Sequence, residues 1–237
     1  MVLATATAGY GVGSIVRDSS LITYYDPSLK QSYSGTGATL TDLSGNANTG
    51  TLQNSPTFNT TNFSLNGTNQ HITTTTSFVN PNSYTTCVWF STTSVAGRVL
   101  FQHENNQTGT TGSVYGRRMW VGTDGLLYAG IYNAAVRYGR TAFSVTDGVW
   151  RYASSHYNGT DLSLYVNGEL VVTYAAIGTS EATTGWWRIG SYKSTAWPVA
   201  SDGYFTGNVG PIQIYNRSLS AAEILQNFNA QRGRFGV

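Results

Sequence analysis

Short apolar or alternating runs recur from Leu21 to Asn216, each closed by Gly, Asn, Asp or Ser, and no helical periodicity interrupts them. The clearest are LITYY (21–25), FSLNG (63–67), TTCVWFS (85–91), GRVLFQHE (97–104), RRMWVG (117–122) and LLYAGIY (126–132). VWRYASSHY (149–157), LSLYVNGELVVTY (162–174), WWRIGSY (186–192) and VGPIQIYN (209–216) follow. Runs of this length, rich in β-branched and aromatic residues and punctuated by turn formers, are strands. Many strands with no helices between them can bury their apolar sides only against a second sheet, so the expected architecture is an all-β sandwich.

The best-defined hairpin lies in 162–174. Leu162, Leu164 and Val166 alternate with Ser163 and Tyr165, and Asn167-Gly168 supplies the two positive-φ positions of a type I′ turn. Leu170 and Val172 then begin the return strand. The only helix signal comes late. Ser220 is followed three residues on by Glu223, the spacing of a capping box, and Leu219 and Ile224 stand where a hydrophobic staple would. A helix over roughly 221–228 would dock on the sandwich through Ile224, Leu225 and Phe228.

Composition narrows the function classes. Charged residues make up 10% of the 237-residue chain and the formal net charge is +2, with Lys and Arg scattered, which leaves no basic stripe for nucleic acid. Aromatic residues make up 13%, far from the composition of disorder. Cys87 is the only cysteine, so no intrachain disulfide and no thiolate zinc cluster can form, and its apolar setting predicts a buried thiol. Residues 1–16 lack a basic start and are broken by glycines, unlike a secretory signal, and no apolar run reaches the length of a membrane helix. Residues 1–20 read as an N-terminal arm, 21–229 as one domain and 230–237 as a tail.

Sugar recognition by proteins uses aromatic faces together with planar polar groups. Trp186, Trp187, Tyr192 and Trp197 form the densest aromatic cluster, partly on a long loop at 191–205, and are the candidate carbohydrate-binding residues. Alternation along a strand predicts that one of Trp186 and Trp187 is buried and the other exposed. Trp89, Trp120 and Trp150 sit in strand-like runs and are expected in the core. The histidines, His71, His103 and His156, show no metal spacing, and no Gly-x-Ser-x-Gly elbow occurs.

The stretches TDLSGNANTGTL (41–52), FSLNGTNQHI (63–72), DGVWRYASSHYNGTDLSLYVNGELV (147–171), RIGSY (188–192) and YFTGNVGPIQIYNRSLSAAEI (204–224) resemble, in order, the laminin-G-like or concanavalin A-like jelly-roll family. The resemblance implies a jelly-roll sandwich of two antiparallel sheets with a short C-terminal helix. The opening 14–52 and the closing 214–237 look like single-domain versions found among tailed-phage virion proteins. That likeness implies a non-enzymatic structural protein of the virion surface: a capsid decoration protein or a head, neck or tail fibre. Its expected partners are other virion proteins, reached through the arm and through Arg232, Arg234 and Phe235 of the tail, a second copy of the chain, and host surface carbohydrate. The alternative is a bacterial extracellular carbohydrate-binding module or adhesin.

Some relatives are glycosidases, whose retaining members place two carboxyls about 5–5.5 Å apart. The glutamates here, Glu104, Glu169, Glu181 and Glu223, have no carboxylate two residues away, which argues against catalysis. Other relatives carry calcium at the sandwich rim. Asp42, Asn46 and Asn48 are the candidate ligands, with Asp124, Asp161 or Asp202 as a further carboxylate, and the competing reading is that the first three bond turn backbone.

Overall fold

The structure, a computed structural model, describes residues 13–110, 116–192 and 197–237. Among the described residues, seventeen strands precede one α-helix. They are β1 (Leu21–Tyr25), β2 (Thr39–Leu40), β3 (Gly50–Gln53), β4 (Thr57–Phe58), β5 (Phe63–Asn66), β6 (His71–Thr74), β7 (Phe78–Val79), β8 (Tyr84–Ser91) and β9 (Val99–Glu104). Then come β10 (Arg117–Val121), β11 (Leu126–Asn133), β12 (Ala135–Ser144), β13 (Arg151–Tyr157), β14 (Leu162–Val166), β15 (Glu169–Tyr174), β16 (Thr184–Ile189) and β17 (Thr206–Tyr215). The helix α1 (Ala221–Gln231) runs into a 3-10 turn at Arg232–Arg234.

The strands form two antiparallel sheets. The first has the order β15-β14-β13-β8-β17-β5-β4, with β1 also beside β17; the second has the order β12-β11-β10-β9-β16-β6-β3-β2, with β7 beside β16. Strands distant in sequence are neighbours in both, as in a jelly roll: β8 pairs with β17 and β9 with β16. Their inner faces enclose one large core that includes Phe63, Ile72, Val88, Phe90, Phe101, Met119, Leu127, Ile131, Leu164, Ile189 and Ile212.

The outer face of the first sheet is apolar as well, and α1 covers it. Ser220 and Glu223 form the capping box, each bonding the other's backbone N–H. Ile224 and Phe228 pack on Trp89, Tyr152, Tyr165 and Tyr215, while Leu225 remains 43% exposed above the Asn167-Gly168 turn. The helix therefore docks through Ile224, Asn227, Phe228 and Gln231, and not through Leu225. Asn227, fully buried, accepts from the backbone N–H of Val16 at 2.7 Å and donates to the Tyr215 hydroxyl at 3.0 Å. Cys87 lies beneath, and burial pushes its thiol up to about 11.

The two end segments belong to this layer. Residues 1–12 of the expected arm lie outside the described residues, but Ile15 and Val16 are buried beside the helix, and Gln226 donates to the Ser14 carbonyl. In the tail, Phe235 stacks on Trp89 with ring centres 4.2 Å apart and 16° between planes, and meets Trp150 at 4.7 Å. Arg234 donates to both oxygens of the buried Asp26 at 2.9 Å, and Arg232 lies over the Phe228 ring. Tail residues expected to grip a neighbour are thus engaged within the chain, because the aromatic face of the first sheet extends past the reach of α1.

The expected strands form, and others join them. The longest unforeseen one, β12, alternates exposed positions with half-buried or buried ones as far as Thr141 and carries few large apolar side chains, as suits an edge strand. In β15, a register shift opposite Leu164/Tyr165 leaves Leu170 54% exposed, while Val171 and Val172 pack on the core.

Candidate functional site

β16 delivers Trp186, Trp187 and Arg188 in succession, and the pleat sends them to opposite faces. Trp187 points inward and is 1% exposed, packed between Tyr84, Phe101 and His103. Trp186 and Arg188 lie on the outer face of the second sheet. Trp186 is half-buried, and its indole N–H reaches the Thr75 carbonyl at 3.3 Å.

On that outer face a polar row runs across the strands. Thr73 of β6 stands opposite Arg188 of β16, which stands opposite Gln102 of β9, which stands opposite Arg118 of β10. The row holds two loops against the sheet. Arg188 donates to the carbonyls of Asn106 and Gly109, and Gln102 donates to the Ser191 hydroxyl and the Tyr192 carbonyl. One residue pair along, Glu104 accepts from Arg118 at 3.0 Å, and both are buried. Burial raises the Glu104 carboxyl above its ordinary range, against the pull of Arg118 and Arg188.

Beside this row the face is aromatic. Trp120 stacks on Tyr128 with ring centres 5.0 Å apart, and Tyr138 closes the group. Trp197 stands edge-on to Trp120 at 5.1 Å, with the Arg118 guanidinium 5.2 Å from its ring centre, and is only 2% exposed. Tyr192 is half-buried and meets Tyr204 edge-on. Of the aromatic residues proposed from sequence, Trp186 and Tyr192 therefore retain accessible surface. Trp187 serves the core, and Trp197 holds its loop to the sheet. The sequence reading overlooked Gln102, Arg118 and Arg188. Their signal was a polar residue at an outward position of an otherwise apolar strand, which the register alone converts into a row.

The residues proposed for calcium are occupied otherwise. Asp42 accepts from the backbone N–H groups of Tyr24, Ser44 and Asn48 and from the Ser44 hydroxyl, at 2.7–3.0 Å, so both its oxygens are committed. Asn46 and Asn48 donate to the carbonyls of Leu21 and Ile22 at 2.9 and 2.7 Å. Together the three tie the 42–48 turn to β1, and the two asparagines turn amide N–H groups to the β1 carbonyls. Asp124 binds the Tyr128 hydroxyl and Asp161 the Ala176 N–H. Among the described residues no three His, Cys, Asp or Glu side chains converge.

The neighbours His103 and Glu104 point to opposite faces and form no acid–base pair. His103 faces the core, where its Nε2 lies 3.2 Å from the Phe78 carbonyl and burial lowers its pKa to about 3.

Comparison with known proteins gives the same architecture. No curated protein matches the chain. Among solved structures, the binding domain of botulinum neurotoxin serotype G superposes with a TM-score of 0.65 at 14% identity, over 89% of this chain and 51% of that one. The binding domain of Paraclostridial mosquitocidal protein 1 gives 0.58 at 15% identity, over 89% and 52%. A sialidase of Trypanosoma rangeli gives 0.64 at 15% identity, over 92% of this chain and 34% of that one. The chain spans about half the length of the toxin domains, and the likeness is one of fold. The family model described as the concanavalin A-like lectin/glucanases superfamily matches residues 66–225, well over half of the chain. With its two antiparallel sheets and capped closing helix, the protein belongs to the concanavalin A-like lectin/glucanases superfamily.

Proposed function

We propose that the protein is a non-enzymatic surface module of a tailed-phage virion, which attaches by the side that carries the segment 13–20, α1 and the tail and offers the outer side of the second sheet to host carbohydrate. The observation that carries this reading is the division of the two outer faces. The segment 13–20, α1 and the tail all pack on the first sheet. The outer side of the second sheet carries the half-buried Trp186 and Tyr192, whose rings keep accessible surface beside a buried polar row. Support for the virion setting comes from the sequence stretches at both ends, which lie against each other through Val16–Asn227 and Arg217–Asp18 contacts. Support for a glycan comes from fold relatives: the binding domain of botulinum neurotoxin DC was solved in complex with SialylT, and cell entry of botulinum neurotoxin type C depends on interaction with two ganglioside molecules.

Trp186 and Tyr192 would stack on sugar rings, while the buried Arg188 and Gln102 keep the neighbouring loops in place. Glu104 is buried in its ion pair with Arg118, and no glutamate of the sequence has a carboxylate two residues away, so binding without turnover is the expected activity. A glycan array probed with the full chain tests the reading. Specific binding that falls roughly tenfold or more in Trp186→Ala, about 1.4 kcal/mol, supports it. Binding unchanged by that substitution, or absent altogether, overturns the glycan role. Antibody labelling decides the setting: virions should be decorated, whereas label confined to bacterial cells favours the alternative, an extracellular carbohydrate-binding module or adhesin.

A further inference from the structure

We propose that a cavity at one end of the sandwich, separate from the glycan face, binds a small organic carboxylate through a donor set organised by the buried Arg117. The cavity has a volume of about 290 Å³, at the small end of ligand pockets. Asn80, Asn82, Tyr84, Trp187 and Ile214 are among its walls, and its lining contains no carboxylate.

Arg117 projects from β10 toward the core and is 1% exposed. It makes no ion pair among the described residues, and Glu181, which acts on its charge, does so from beyond contact. Its Nη2 donates to Asn80 Oδ1 at 3.0 Å and to Asn82 Oδ1 at 2.8 Å, while Nε and Nη1 have no partner. A guanidinium buried without a counter-ion is costly, and an arriving anion offsets that cost.

The two asparagines pass the charge outward. Each gives its amide oxygen to Arg117, which polarises the Nδ2 protons of two residues that line the cavity. Asn80 holds this pose with φ at +38°, a value a non-glycine residue rarely adopts. Trp187, also in the wall, has an indole N–H with no partner. These groups are donors without a balancing acid, beside the apolar surfaces of Ile22, Phe78 and Ile214. A carboxylate, with its acceptor oxygens on an apolar body, matches that set.

Thermal melting of the full chain tests this with acetate, benzoate and glucuronate, against benzyl alcohol and glucose as neutral analogues and sulfate as an inorganic anion. At concentrations about 100-fold above Kd, a carboxylate should raise the melting temperature by roughly 5–10 °C while its neutral analogue does not. The Trp187 indole resonance should move with it. The near-isosteric Asn82→Asp supplies Arg117 with a counter-ion, so that variant should fold and lose the response. The proposal is overturned if no carboxylate shifts the melt, if the neutral compounds or sulfate alone shift it, or if Asn82→Asp responds like the parent.

Discussion

Replacing Phe235 by alanine measures whether the last residues are part of the fold. Its ring is half-buried, stacked on Trp89 at 4.2 Å and leaning on Trp150 at 4.7 Å. Truncating a fully buried phenylalanine costs about 3–5 kcal/mol. Partial exposure cuts that roughly in half, and the loss of stacking restores about 0.5–1.5 kcal/mol. The sum is about 2–4 kcal/mol, which for a chain of this size lowers the melting temperature by roughly 4–16 °C. Urea unfolding followed by tryptophan emission is the natural assay, since Trp89 and Trp150 lie directly beneath the ring. The midpoint should fall with the slope unchanged, and Phe235→Leu should recover much of the loss. A Phe235→Ala midpoint equal to the parent's would mean that the ring adds nothing to the fold. It would return the tail to its sequence-based role as a free contact for a neighbouring subunit.

Acid should destabilise the protein in two stages. His71 and His103 are held neutral by burial, with pKa values lowered from 6.5 to about 4 and about 3, so the unfolded chain binds their protons first and stability falls as pH drops below about 6.5. Asp18 and Glu223, both lowered to about 2 by hydrogen bonds, chiefly from Ser20 and Arg217, add a second decline between about pH 4.5 and 2, which Arg217→Met should flatten in a melt-versus-pH series. Asp42→Ala strips the acceptor from three backbone N–H groups and should cost about 2–4 kcal/mol in urea unfolding. Calcium or a chelator should leave the parent's melting temperature where it was, and a calcium-dependent rise would contradict the structural role of the 42–48 turn.

Elements set by local chemistry were legible in the sequence. The Asn167-Gly168 turn has φ of +54° and +83°, and the Ser220/Glu223 box caps α1, because each depends on residues at most three positions apart. The recurrent strands, and hence a two-sheet sandwich, followed from alternation that any antiparallel pairing would respect. The burial of one of Trp186 and Trp187 was legible for the same reason, although which one faced inward was not. That choice depended on the register of β16 against β9, a contact between residues more than 80 positions apart.

The candidate site depended on long-range placement throughout. Trp197 reads like an exposed platform in a loop, but Trp120 and Arg118 come from another strand to bury it. The polar row at Arg188, Gln102 and Arg118 exists only because three strands align. Gly210 shows the same limit at the tail: a Cβ there would come within 3.0 Å of both Phe235 and Trp89, so that glycine makes room for a ring 25 residues away. Strand alternation, turn chemistry and the helix cap are legible locally, because their energies lie between near neighbours. Long-range contacts settled which aromatic rings meet solvent, how both oxygens of Asp42 are committed and where the last residues dock, because those outcomes depend on groups that only the folded chain brings together.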